Sequence, residues 1–159
     1  MIQTGGARIR STRNKSNENH SKPHQIMHPL LLSALIQVES GGNDHARGKH
    51  GELGALQIKS IMVRDVNRIM GTHYAHAQVT NRAVSIFIAE SYFAHYGQHL
   101  SDESLARLWQ GGPKALRKSS SRAYGRRVMR ELEKQTAKES LQVATRNKLD
   151  SKNPTFTGR

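Results

Sequence analysis

Glu39 follows Leu35 by four positions and Ile36 by three, so a helix through this stretch carries its carboxyl on an apolar face. A carboxyl in that position must be paired or stay protonated. A protonated carboxyl near neutral pH is what a general acid requires. A glutamate at a frayed helix end, reaching water, satisfies the same spacing, and position alone does not choose between them. Two more acids, Asp44 and Glu52, lie on the loop that follows. They are either a second carboxylate for the same chemistry or ordinary solvated loop acids.

That loop runs from Gly41 to Gly54 and includes Gly42, Gly48 and Gly51. It lacks the Gly-Lys-Ser/Thr ending of a phosphate loop and the strand that should precede one. Glycines at this density suit either close approach of a polymer to the backbone or plain turns. The loop leads into Gly54-Ala55-Leu56-Gln57-Ile58, in which Gln57 is the one polar side chain. Trp109, the only tryptophan, stands just before Gly111-Gly112-Pro113 and serves equally as core or as a flat face for a ligand. Tyr124 lies on an apolar stripe, where core packing competes with use of its hydroxyl. Tyr92 and Phe93 read as core. The nine histidines are scattered, with no His-Glu-x-x-His or comparable set, so no metal and no cofactor are expected.

These residues need a scaffold, and the periodicity is helical. Pro29 suits the first turn of a helix that carries Leu31, Leu32, Leu35 and Ile36 and stops at Gly41-Gly42. Residues 59–70 form a second amphipathic stretch, with Met62, Val66, Ile69 and Met70 expected on the buried side. Residues 81–96, apolar around most of the circumference, predict a central third helix. Ser101 is an N-cap for a fourth, with Asp102 and Glu103 near its positive end. A fifth is expected from about Arg122 to Ala137, with Tyr124, Val128 and Leu132 on one stripe. No segment alternates at period two. The expected fold is all-α, with little or no sheet and an irregular stretch from Gly41 to Gly54.

The chain has 159 residues, enough for one domain, and a formal net charge of +13. The charge is segregated. Residues 1–25 carry five basic side chains against one acid, residues 26–112 carry seven of each, and residues 113–159 carry thirteen against four. The expected organisation is a disordered basic segment over 1–25, a folded domain over 26–140 and a flexible basic tail over 141–159. Basic flanks serve nucleic acid, anionic lipid or anionic wall polymers, or are merely solvated. The absence of cysteine excludes disulfides, thiolate metal sites and a cysteine nucleophile. No apolar run reaches membrane-spanning length, and the N-terminus has no basic region followed by an apolar one, so no secretory signal is expected.

Four segments, taken in order, resemble the soluble lytic transglycosylase family of the lysozyme-like superfamily, close to goose-type lysozyme. Glu39-Ser40-Gly41-Gly42-Asn43 is similar to its Glu-Ser helix end. Gly51-Glu52-Leu53-Gly54-Ala55-Leu56-Gln57-Ile58 is similar to its Gly-Leu-Met-Gln-Ile segment. Leu105 to Pro113 resembles its Ala-x-Tyr-Asn-x-Gly-Pro segment, and Tyr124 to Val128 its late Tyr-x-x-x-Val. The departures are Gly48 for a substrate-placing Ser, Leu56 for Met, Trp109-Gln110 for Tyr-Asn, and the extra acid Glu52.

The resemblance implies cleavage of the β-1,4 bond from N-acetylmuramic acid to N-acetylglucosamine in peptidoglycan. It implies Glu39 as general acid and then base, and Ser40, Gln57, Trp109, Gln110 and Tyr124 as substrate-binding residues. The muramic C6 hydroxyl then attacks in place of water, giving a 1,6-anhydro end. The alternatives are a hydrolase that uses Asp44 or Glu52, and a binding module of the same fold with a weak or dead site. Peptidoglycan is the expected partner, with anionic wall polymers on the flanks; a monomer is expected, and no specific nucleic acid, since the body is neutral and poor in aromatics.

Overall fold

A computed structural model describes residues 29–152, and side chains over 30–149. The expected basic segment 1–25 and the last seven residues lie outside the described residues. Among the described residues five α-helices are present: α1 (Pro29–Ser40), α2 (Ser60–Met70), α3 (Arg82–Tyr96), α4 (Asp102–Gly111) and α5 (Ser121–Lys152). Short 3₁₀ turns at His76–Thr80 and Pro113–Arg117 lead into α3 and α5. Among the described residues there is no sheet, only two isolated antiparallel bridges, Arg47 with Leu53 and Leu53 with Ile58. The fold is all-α, as the periodicity predicts.

The helix ends follow local chemistry. Gly41, at φ +63°, turns the chain out of α1 while its N–H still donates to Gln37 O at 3.0 Å. Gly71 closes α2 in the same left-handed conformation. Ser101 caps α4, its hydroxyl accepting from Ser104 N, as its type and place predict. Asn81 caps α3, accepting from the N–H groups of Ala83 at 3.0 Å and Val84 at 3.2 Å. Replacing it with Ala is expected to cost about 1 kcal/mol, while Asp retains the acceptor. Urea unfolding of the two variants checks this, and equal midpoints for both would remove the cap from the account.

One core joins the helices. Leu31, Ala34 and Leu35 of α1 meet Ile88, Ala89 and Phe93 of α3, Leu105 and Leu108 of α4, and Val128 of α5 in a single buried cluster. Tyr124, Val128 and Leu132 are buried at i, i+4 and i+8, as expected.

Two expectations are corrected. In α2 the buried residues are Val63 and Val66, while Met70 is 48% exposed. The helix is rotated so that Val63 enters the core, and Met70 stands at the turn into Gly71, where nothing covers it. In α5 the helix does not stop near Ala137 but continues to Lys152, so the expected domain limit at residue 140 falls inside it. The residues beyond Leu132 are mostly polar, and the large apolar ones among them, Leu141, Val143 and Leu149, are exposed, so this part of the helix is not packed. They are also mostly good helix formers with no Gly or Pro before Pro154, which permits the helix to continue.

The Gly41–Gly54 stretch is irregular, as predicted, and is held to the helices. Arg82 of α3 donates from Nε to Asp44 Oδ1 and from Nη2 to Gly42 O, both at 2.6 Å. Asp44 is therefore paired with Arg82 rather than being a free solvated acid.

Candidate active site

The Gly54–Ile58 segment is the hub of the site. Ala55, Leu56 and Ile58 are fully buried, so their carbonyls need protein partners. Each comes from a different part of the chain. Ser40, at the end of α1, donates its hydroxyl to Ala55 O at 2.8 Å. Trp109 of α4 donates Nε1–H to Leu56 O at 3.2 Å. His76 Nε2 lies 2.8 Å from Ile58 O, a contact that places the ring proton on Nε2. The bridge between Leu53 and Ile58 folds the segment back on itself. At its tip Gln57 takes φ +49°, a conformation non-glycine residues seldom adopt. Strain of this kind concentrates where a side chain must be aimed, and here Gln57 lines a cleft.

The cleft has a volume of about 860 Å³ and is walled by α1, the Gly54–Ile58 segment, α2, α3, α4 and α5. Glu39 lines it. The Tyr124 hydroxyl donates to Glu39 Oε1. Arg127, one turn further along α5, stands over the Tyr124 ring at 5.2 Å. Burial holds the Glu39 carboxyl above its usual range. The Tyr124 hydrogen bond and the Arg127 charge oppose that rise, and the Glu52 charge adds to it. Burial, reinforced by the Glu39 charge, pushes the Tyr124 hydroxyl up, so it stays a donor. Of the two readings of Glu39, the partly buried, paired carboxyl is the one observed.

The two loop acids separate. Asp44 is not among the residues that line the cleft. Glu52 lines it, accepting from His50 N at 2.9 Å and pairing with Lys59 Nζ at 3.5 Å. Its own backbone N–H, then that of His50, then Lys59, hold its carboxyl below the usual range. The cleft thus sets a carboxyl pushed up beside one pushed down, the pattern that divides acid and base roles. Gly48 is where the loop makes room for this: a Cβ there would stand 2.3 Å from Glu52 Oε2 and 2.7 Å from Gln57 Oε1.

The remaining site candidates fall into two groups. Gln57, Gln110 and Tyr124 line the cleft with Glu39. Ser40 is not among the lining residues; its hydroxyl donates to Ala55 O and accepts from Gly42 N at 3.2 Å, so it ties the end of α1 to the Gly54–Ile58 segment. Trp109 reaches the cleft but is only 5% exposed, with its ring stacked on Phe93 at 5.4 Å. The open flat platform implied by the resemblance is a buried strut, because its N–H and one face are already committed. Tyr92, read as core, is buried and also lines the cleft. Burial pushes its hydroxyl up to about 12, so it too is a donor. Asp65, Arg64, Arg68 and Arg127 line the cleft without having been singled out for it. Their only signal was helical register, Arg64 and Arg68 with Ile61, Asp65 with Met62 and Arg127 with Tyr124.

Among the described residues no three His, Asp or Glu converge on a metal-sized site. No described helix is long and apolar enough to cross a membrane. A protein-family model described as transglycosylase SLT domain matches residues 15–129.

Proposed function

The chain belongs to the transglycosylase SLT domain family, which acts on peptidoglycan, and on that premise we propose that its cleft cleaves the β-1,4 bond from N-acetylmuramic acid to N-acetylglucosamine with Glu39 as the proton carrier. The observation that carries the reading is the burial of Glu39 under the Tyr124 hydroxyl in an open cleft. Burial favours the protonated carboxyl, the form that can give its proton to the leaving glycosidic oxygen. Tyr124 holds one carboxyl oxygen and leaves the other to carry that proton. As the bond breaks, the sugar acquires oxocarbenium character. Glu39, now a carboxylate, takes the proton from the muramic C6 hydroxyl as its oxygen closes onto C1. A 1,6-anhydro end forms and no water is consumed. Gln57, Gln110 and Tyr92 supply amide and hydroxyl groups for the sugar substituents.

Mass spectrometry of purified peptidoglycan after digestion tests this. Products ending in 1,6-anhydromuramic acid, lighter by one water than reducing ends, are expected. A second reading has a specific observation behind it: Glu52 lines the same cleft with its carboxyl held below the usual range, and a hydrolase needs a second carboxylate. Reducing ends as the main product, lost in Glu52→Gln, would establish hydrolysis instead.

Tyr124→Phe gives a further expected result. The phenol stabilises the Glu39 carboxylate, so its removal raises the Glu39 pKa. The first step needs protonated Glu39, and activity falls as pH rises through that pKa. The alkaline limb of the pH–rate profile should therefore move to higher pH in the variant, with turnover reduced about tenfold by looser orientation of the acid. A limb that stays in place or moves down would remove Tyr124 from the acid's environment.

A further inference from the structure

Positive charge gathers beside the cleft, on the outer face of α5. Between Lys114 and Lys138 the chain carries nine Lys and Arg against two acids, Glu131 and Glu133, and all nine basic side chains are exposed. Arg122, Arg126, Arg130, Lys134 and Lys138 follow one another at i+4 along the helix. Each step is about 6 Å, so the row is about 24 Å long. Arg127 stands next to it and lines the cleft, so the row runs past the cleft's edge. Among the described residues, Lys134 alone of the row has an ion-pair partner, Glu131 at 3.7 Å. Like charges at i+4 oppose helix formation. A row of five that is merely solvated therefore weakens its own helix, whereas a polyanion laid along it turns the repulsion into attraction.

The surroundings of the row select among polyanions. The exposed large apolar side chains of α5, Leu141, Val143 and Leu149, all lie beyond Lys138, and Tyr124 is buried. A bilayer thus finds no large apolar side chain to take up along the row, and unstacked bases find no ring. A flexible phosphodiester chain needs neither. With one charge every six backbone bonds, its phosphates stand about 7 Å apart when extended, close to the i+4 step. Four of the six cations are arginines, whose planar fork fits a phosphate. We propose that the row from Arg122 to Lys138 is a docking rail for a phosphodiester polymer of the wall, holding the cleft on glycan that bears such a polymer. The inference rests on the reading of the cleft as a peptidoglycan cleft.

Binding of labelled poly(glycerol phosphate) to the full chain, measured across a range of salt concentrations, tests the rail. Binding at low salt is expected, with log K falling linearly against log salt. Arg130→Gln/Lys138→Gln leaves the cleft lining untouched and keeps good helix formers in place. It should make the slope shallower by about 1.4, at about 0.7 per lost contact, and weaken low-salt binding about fivefold. Arg47→Gln/Lys49→Gln, which removes the same charge from exposed loop positions, should preserve the slope. Equal slopes for the row variant and the wild type would overturn the rail. So would tighter binding to single-stranded DNA of the same phosphate number, or to phosphatidylglycerol vesicles. A second measurement compares cleavage of polymer-bearing walls with the same walls after hydrofluoric acid has removed the phosphodiesters. At low salt the wild type should act faster on the bearing walls, and the row variant should lose that advantage while cleaving stripped walls at the wild-type rate. Equal wild-type rates on both preparations would overturn the rail and leave glycan cleavage intact. Cleavage of neither would overturn the proposed activity, and with it the reason to place the polymer in a wall.

Discussion

Glu39→Gln is expected to reduce glycan cleavage by about 10²–10⁴-fold, the loss typical of a missing general acid. The amide keeps the shape and still accepts from the Tyr124 hydroxyl, but has no proton of the right acidity to give. The same substitution should stabilise the fold at neutral pH. Burial holds the folded-state pKa of Glu39 above the unfolded value, so the native state disfavours the charged form. The stability linked to this group is fully present below the unfolded pKa of about 4.5 and is lost as pH rises through the folded pKa. The neutral amide is free of that loss. Thermal unfolding should therefore show a higher Tm for Glu39→Gln than for wild type at pH 7, with the gap closing as pH falls below about 4. Wild-type turnover in a folded variant would remove Glu39 from the chemistry. An unchanged Tm at pH 7 would show that its carboxyl is not burdened by burial.

Gly54→Ala is expected to destabilise the protein by about 3 kcal/mol. Two effects combine at this position. Gly54 has φ +78°, where an L side chain costs about 1–2 kcal/mol. A Cβ there would also stand 2.3 Å from the backbone oxygen of Val79, which cannot swing aside as a flexible side chain can; overpacking of this kind adds about 1–3 kcal/mol. Gly71→Ala separates the two effects. Its φ is +66°, but nothing lies within 4 Å of an added Cβ, so only the conformational part should appear. Urea midpoints for the pair, at unchanged m, measure the difference. Equal losses would show that the Gly54–Val79 contact relaxes freely. Because Gly54 opens the segment that receives Ser40, Trp109 and His76, its substitution should also misplace Gln57 and lower activity beyond the fraction unfolded.

Short-range chemistry was legible in the residues themselves. Pro29, Gly41, Gly71 and Ser101 act through their own backbone preferences or their own hydroxyl, so their types and places predict the ends of α1, α2 and α4 without knowledge of the rest. The stripe Tyr124, Val128, Leu132 and the apolar-face carboxyl of Glu39 follow from helical period in the same way. Polarity misled where it stands for packing rather than for helicity, in the face that α2 buries and beyond Leu132 in α5.

What the tertiary structure alone decided is which of these local features meet. Tyr124 reaches Glu39 across 85 residues of chain, and Trp109 reaches Leu56 across 53. No period or cap encodes such a meeting. The buried carbonyls of Ala55, Leu56 and Ile58 demand donors, but any helix carrying a suitable donor would satisfy a sequence-level account. Only packing assigns Ser40, Trp109 and His76 to them, and in doing so turns an expected platform into a strut. The two loop acids show the same limit. Asp44 and Glu52 are equivalent as solvated carboxylates on a glycine-rich loop. Arg82, arriving from α3, claims Asp44, and the room left at Gly48 turns Glu52 inward beside Glu39. A carboxyl's role is set by the dielectric and charges around it, and those come from residues far away in sequence.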